Sequence, residues 1–165
     1  MNRPSIRTVI LVSATAAIGV ALFMSNQGCI NSQITVKKEL QDRVQRLARD
    51  YTRDSEPNDQ FEEIRNADYP SHIYPLVIDM DGKMWVNGNA PWLCGGEKPG
   101  SGPTLLDTPG EQRPPIQTMI HRAKTGGGFE QFQWAYADRL ESHIAYVQML
   151  GNTNFIVGMV AREQY

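Results

Sequence analysis

Two strand-like apolar runs face each other across Asp81-Gly82 in the stretch LVIDMDGKMWVNG, Leu76 to Gly88. No other stretch constrains the fold as tightly. An Asp-Gly pair between apolar runs is a strong short hairpin signal, because both residue types accept the backbone that a tight turn needs. IYPLVID (Ile73–Asp79) and KMWVNG (Lys83–Gly88) are therefore expected to be adjacent antiparallel strands. Asp79 should end the first strand and hydrogen-bond into the turn, as short acidic side chains do.

The same aspartates begin two chemical patterns. A phosphatase of the haloacid-dehalogenase type would use Asp79 as nucleophile and Asp81 as acid/base, with Thr or Val two residues after the second Asp and a parallel α/β sheet to follow. Here Lys83 stands at that position and a second strand starts at once. This phosphatase remains only a remote alternative. A calcium loop of the EF-hand type closes on an acid six residues after its Gly. Gly88 is at that place, and no carboxylate occurs between Asp81 and Glu97.

The rest of the chain extends the hairpin into a sheet. FEQFQWAY (Phe129–Tyr136), HIAYVQML (His143–Leu150) and FIVGMVAR (Phe155–Arg162) read as three further strands, with Gly151-Asn152 turning between the last two. From Gln33 to about Arg53 an apolar stripe of Ile34, Leu40, Val44, Leu47 and Tyr51 recurs at helical spacing, with charged residues on the other side. DSEPNDQ (Asp54–Gln60) is expected to break that helix, and FEEIRN (Phe61–Asn66) to add one or two helical turns. Ala90 to Gln112 is rich in Gly and Pro and reads as a long loop, the kind that is usually functional. Pro114 to Thr125 reads as a helix stopped by Gly126–Gly128. The expected fold class is α+β: an antiparallel, PAS-like sheet of about five strands with helices over one face, a long N-terminal helix, and one transmembrane helix before it.

That transmembrane helix is Thr8 to Met24, which is uncharged over 17 residues and follows Arg3 and Arg7. Its length lies between a signal-peptide core and a full span. An uncleaved signal anchor is the preferred reading. It makes residues 1–7 cytoplasmic, 8–24 a single pass through the inner membrane, and 33–165 a domain in the periplasm or outside the cell, by the positive-inside rule. Cleavage near Ser25–Gly28 is a rival, although no Ala-x-Ala sits there; lipidation of Cys29 is another, although Asn26 stands where an apolar residue is wanted. No membrane helix follows Tyr165, so the chain is expected to act through a separate partner protein or a homodimer, to signal through the anchor helix itself, or to be simply a ligand-binding protein tethered at the surface.

Of 165 residues, 41% are hydrophobic and 21% charged, and the net charge is −2; the chain should fold, and no basic patch points to nucleic acid. The two cysteines, Cys29 and Cys94, lack metal-ligand spacing, and a disulfide between them is allowed but not demanded. His72, His121 and His143 sit on separate elements, with no metal, cofactor or catalytic pair implied. What remains is a binding module. Three tryptophans and six tyrosines can line a small-molecule pocket, although core packing is the plainer role for any one of them.

Several motifs, in order, resemble the single Cache domain family of bacterial extracytoplasmic sensors. The strand, turn and second strand run into Pro91-x-Leu93-x-Gly95; Asp107 and Gly110 form a later Asp-x-x-Gly; Gly126 and Gly128 lead to Phe132 and Trp134; Tyr146-Val147, Gly151 and Gly158 fall in the closing hairpin. The resemblance implies a PAS-like, non-enzymatic sensor that binds a small organic acid, amino acid or related metabolite. Its pocket would lie between the sheet and the loop Ala90–Gln112, near the Pro114–Thr125 helix. Tyr74, Trp92, Trp134, His143 and Tyr146 are the expected wall or hydrogen-bonding residues, with Trp92 as a lid. Phe132 stands where the family often has Tyr. His143 lies near the place of a frequent Lys, and a histidine is cationic only when protonated.

Overall fold

A computed structural model describes residues 32–51, 57–95, 100, 115–135 and 140–163. The run 8–24, Cys29, Asp107, Gly110 and Tyr136 lie outside the described residues. Among those described, no helix is long and apolar enough to cross a membrane. Two compact units divide between Lys37 and Lys38. In the first, residues 32–37 are helical. The second holds everything that follows.

Helix α1 covers residues 32–50, α2 Pro57–Asn66 and α3 Ile116–Lys124. The strands are β1 (Ile73–Asp79), β2 (Met84–Asn87), β3 (Gly128–Ala135), β4 (Leu140–Met149) and β5 (Phe155–Arg162), with a short 3-10 turn at Pro91–Cys94. They form one sheet in the order β2-β1-β5-β4-β3, antiparallel at every pairing. The expected strands IYPLVID and FIVGMVAR match β1 and β5 residue for residue. Helix α2 starts earlier than expected, at Pro57. Proline suits the first turn of a helix, where its missing N–H has no partner to lose.

The first hairpin closes as its sequence requires. Gly82 takes φ +75° and donates its N–H to the Asp79 carbonyl at 3.1 Å. Asp79 Oδ1 accepts from the backbone N–H of Asp81 (3.0 Å) and of Lys83 (2.9 Å), and Oδ2 accepts from the Trp85 indole N–H at 3.0 Å. Both oxygens are thus engaged in holding the turn. A further bond, Met80 N–H to the Asn154 carbonyl at 3.2 Å, ties this turn to the one between β4 and β5.

Residues paired directly across antiparallel strands share a face. One face carries Tyr74, Leu76 and Ile78 with Val160, Gly158 and Ile156, then Ala145 and Val147; Ile116, Met119, Ile120 and Ala123 of α3 pack into the same apolar cluster. The other face carries Val77, Val157, Phe155 and Tyr146. Phe61 of α2 meets it, edge-on to Phe155 at 4.9 Å and to Trp85 at 5.7 Å. The expectation of helices over one face is therefore corrected: α2 and α3 lie on opposite faces. β1 and β5 are apolar at almost every position, so each strand needs cover on both sides. In α1, Leu40 and Val44 are fully buried while Ile34 is 60% exposed, so the expected stripe does not bury along its whole length.

Asp79→Ala removes three bonds and leaves a partly buried indole N–H without its acceptor. The expected loss is about 2–3 kcal/mol, read as a lower urea midpoint, against under about 0.5 kcal/mol for Asp81→Ala at an exposed position. Equal midpoints for the two variants would show that Asp79 does not hold the hairpin.

Candidate functional site

Strand register brings a polar group into the α3 face near one end of the sheet. His143 on β4 stands opposite Phe132 on β3 and opposite Arg162 on β5; Trp134 stands opposite Glu141; Tyr74 on β1 stands opposite Val160, two residues before Arg162. All therefore share one face. His143 is 0% exposed and Tyr74 6%. The Tyr74 Oη and His143 Nδ1 atoms are 3.1 Å apart, and the two rings meet edge to face. Phe132 stacks flat on the imidazole, with centroids 5.4 Å apart and planes 15° from parallel. Trp134 lies tilted beside it at 6.3 Å.

The other imidazole nitrogen faces charge. His143 Nε2 is 3.7 Å from Glu141 Oε2, and Arg162 Nε is 3.9 Å from the same oxygen. The Arg162 guanidinium also donates to Asn89 Oδ1. Asn89 is positioned by Asn87, whose Oδ1 accepts from the backbone N–H groups of Asn89 (2.9 Å) and Ala90 (2.8 Å). His143 Nε2 and Arg162 Nε are both buried, and neither has a hydrogen-bond partner among the described residues.

Burial pushes the His143 imidazole below its ordinary value, Glu141 pulls it back up, and Arg162 adds to the lowering. Desolvation is the largest effect, so the ring is neutral at pH 7. A neutral imidazole carries one N–H. The carboxylate opposite Nε2 favours the hydrogen there, which leaves Nδ1 to accept from the Tyr74 hydroxyl.

Of the five residues expected from sequence, the structure brings together Tyr74, Trp134 and His143. Tyr146 lies on the opposite face, where its ring meets Phe129 at 4.8 Å. Its hydroxyl is close enough to Gly127 (φ +97°) that a Cβ there would come within 2.9 Å. Trp92 lies on the turn Pro91–Cys94, 67% exposed, and no described ring contact or hydrogen bond joins it to the cluster. Sequence reasoning missed Asn89, Glu141 and Arg162. Counting every second residue from Gly158 through Val160 would have placed Arg162 on the site face. Among the described residues, no three His, Cys, Asp or Glu gather as metal ligands. Cys94 is a buried free thiol, raised in pKa by that burial.

No protein-family profile matches the sequence, and no curated protein matches it significantly. Solved structures do. A methyl-accepting chemotaxis protein from Vibrio parahaemolyticus superposes with a TM-score of 0.61 at 18% identity, over 82% of this chain and 94% of that one. The periplasmic sensor domain of a chemotaxis protein superposes with a TM-score of 0.52 at 19% identity, over 93% and 98%. The chain shares the fold of these two domains. Within this fold, the His143 cluster sits on the face that α3 covers.

A histidine held below its ordinary value takes up its proton more readily in the unfolded chain. Its contribution to stability is full above about pH 6.5, the unfolded value, and is lost as the pH falls below it, by at most about 1.4 kcal/mol per pH unit. Wild type should therefore lose more stability than His143→Gln between about pH 7 and about pH 5. Thermal melts across that range test this, and equal pH slopes for the two proteins would remove His143 as the cause.

Proposed function

We propose that this Cache fold is a non-enzymatic sensory domain that binds a small molecule at the His143 corner and passes the signal to a partner. The observation that carries this reading is a fully buried histidine with a ring nitrogen that no described residue bonds, beside a buried arginine nitrogen in the same state. Buried polar groups are costly unless hydrogen-bonded, and such exceptions call for a reason. Aromatic walls from Tyr74, Phe132 and Trp134 with a few convergent polar groups are the usual make-up of a small-ligand site. The superposition on chemotaxis sensor domains supports a sensory role. The ligand class is a small organic acid, an amino acid or a related metabolite.

In this reading, the uncharged run 8–24 anchors the chain in the inner membrane and residues 33–165 face the periplasm or the cell exterior. A separate signalling protein, or a second copy, receives the signal. A second reading, a Cache fold that binds a protein and no ligand, is favoured by one observation. Trp92 is 67% exposed, and tryptophan at a surface is a frequent interface anchor.

Thermal shift of the purified full chain against organic acids, amino acids, amines and purines tests the first reading. A true ligand at about 100 times its dissociation constant adds about 2.7 kcal/mol of stability. With that ligand, tryptophan fluorescence should change. Trp134→Phe should remove most of the change if the ligand sits at the His143 corner, whereas Trp92→Phe should remove it if that side chain acts as a lid. A silent panel, together with a protein partner lost on Trp92→Ala, would favour the second reading.

A further inference from the structure

The His143 corner holds two fixed charges and one that can be added. Arg162 from β5 is the cation and Glu141 on β4 the anion, 3.9 Å apart at their facing atoms. Glu163, which follows β5, acts on His143 more weakly than Glu141 and accepts a bond from Gln131 at 3.0 Å. From β1, Tyr74 contributes a hydroxyl; from β3, Phe132 and Trp134 contribute no charge. On the α3 side, the Arg122 guanidinium closes on Glu130 at 2.6 Å. With the imidazole neutral, the pair Arg162 and Glu141 leaves the corner with no net charge.

Resting on the sensory reading above, we propose that this corner takes up a small anion together with one proton, and that the proton is held on His143. The reasoning is charge balance at a corner where the imidazole is fully buried and the Glu141 and Arg162 side chains are 19% and 41% exposed. An anion bonded to His143 Nε2–H and Arg162 Nε–H would sit beside the Glu141 carboxylate with one cation to serve two negative groups. Burying an uncompensated charge is strongly unfavourable, so the group that can supply the missing charge titrates. His143 is the side chain in contact with the corner that can do so near neutral pH.

The proton also changes the hydrogen bonding. In the neutral ring, Nδ1 accepts from the Tyr74 hydroxyl. Once Nδ1 carries the added hydrogen from solvent, it donates to the Tyr74 oxygen, because an imidazolium has two donors and no acceptor. The Tyr74 oxygen then accepts from the ring, on the side away from Nε2. The pair Arg162 and Glu141 together with the ring thus passes from zero net charge to +1 in a single protonation. Phe132, stacked on the imidazole, keeps the ring in place during the change.

Linkage sets the sign of the pH dependence. The bound anion raises the proton affinity of His143, so affinity for the anion rises as the pH falls. Between the His143 values of the free and occupied protein, the increase approaches about tenfold per pH unit. The probe is methanesulfonate, the anion of a strong acid, which does not itself titrate; dimethyl sulfone is its uncharged counterpart. Calorimetry of the purified full chain near about pH 7, in two buffers of different ionisation enthalpy, should show net proton uptake as methanesulfonate binds. Dimethyl sulfone should bind more weakly and take up none. His143→Gln keeps a donor but cannot gain charge, so its methanesulfonate affinity should be low and independent of pH. If that variant fails to fold, the wild-type proton count decides alone. Binding of methanesulfonate without proton uptake overturns the inference and leaves the sensory reading standing. Failure of both methanesulfonate and acetate to bind at any pH also overturns it. The sensory reading falls with it only if neutral and cationic metabolites fail to bind as well.

Discussion

Seven successive pairs, from Ile73 opposite Ala161 to Asp79 opposite Phe155, join the first hairpin to the last. Everything else in the sheet hangs on this contact. It closes a long stretch of chain, and loop closure costs entropy before any long-range contact repays it. The return is burial on both faces at once. Leu76, Ile78, Ile156 and Val160 pack on the α3 side, and Val77, Val157 and Met159 are buried on the other. One position in the middle must stay small. A Cβ on Gly158 would meet Val147 Cγ1 at 2.9 Å and the Tyr146 carbonyl at 3.2 Å. The contact also sets the site, since it is the β1–β5 register that brings Tyr74 within reach of His143 on the next strand over.

A sheet covered on both sides allows few polar groups inside, and the two it holds differ in kind. Among the described residues, Asn87 and His143 are the buried polar ones. Asn87 spends its oxygen on two backbone N–H groups and its amide on the Met84 sulfur at 3.0 Å. That is a structural assignment: its bonds are local and shape the turn after β2. His143 has one nitrogen engaged with Tyr74 and the other opposite a carboxylate beyond hydrogen-bond distance. Half of its bonding is thus open, in a place where burial penalises its charged form.

Much of the fold was legible in the sequence because its signals are local. Asp-Gly between apolar runs marks a hairpin wherever it falls, and Asp79 carries the hydrogen bonds that such a position demands. β1 and β5 declare themselves as continuous apolar runs. The two-sided helix cover was less legible, because the same runs that predict a strand do not say which layer meets which face. Pro57 misled for a related reason: proline marks both a break and a helix start, and only the helical turns after it decide between them. Among the site residues, Tyr74, Trp134 and His143 were named from a motif resemblance, and register, which is a long-range property, brings them together.

Tyr146 shows how motif and geometry part. It adjoins Val147 in sequence, but neighbours on a strand point to opposite faces, so Val147 enters the α3 cluster while Tyr146 turns to Phe129. Reading residues as a motif selects them by proximity along the chain, whereas a site on a sheet selects every second one. The same rule explains why Glu141 and Arg162 escaped notice: each lies two positions beyond a recognisable residue on its strand. Their presence changes what the histidine means. A lysine at this corner would carry its charge at every physiological pH and would hold Glu141 permanently. His143, neutral by burial, leaves Glu141 to Arg162.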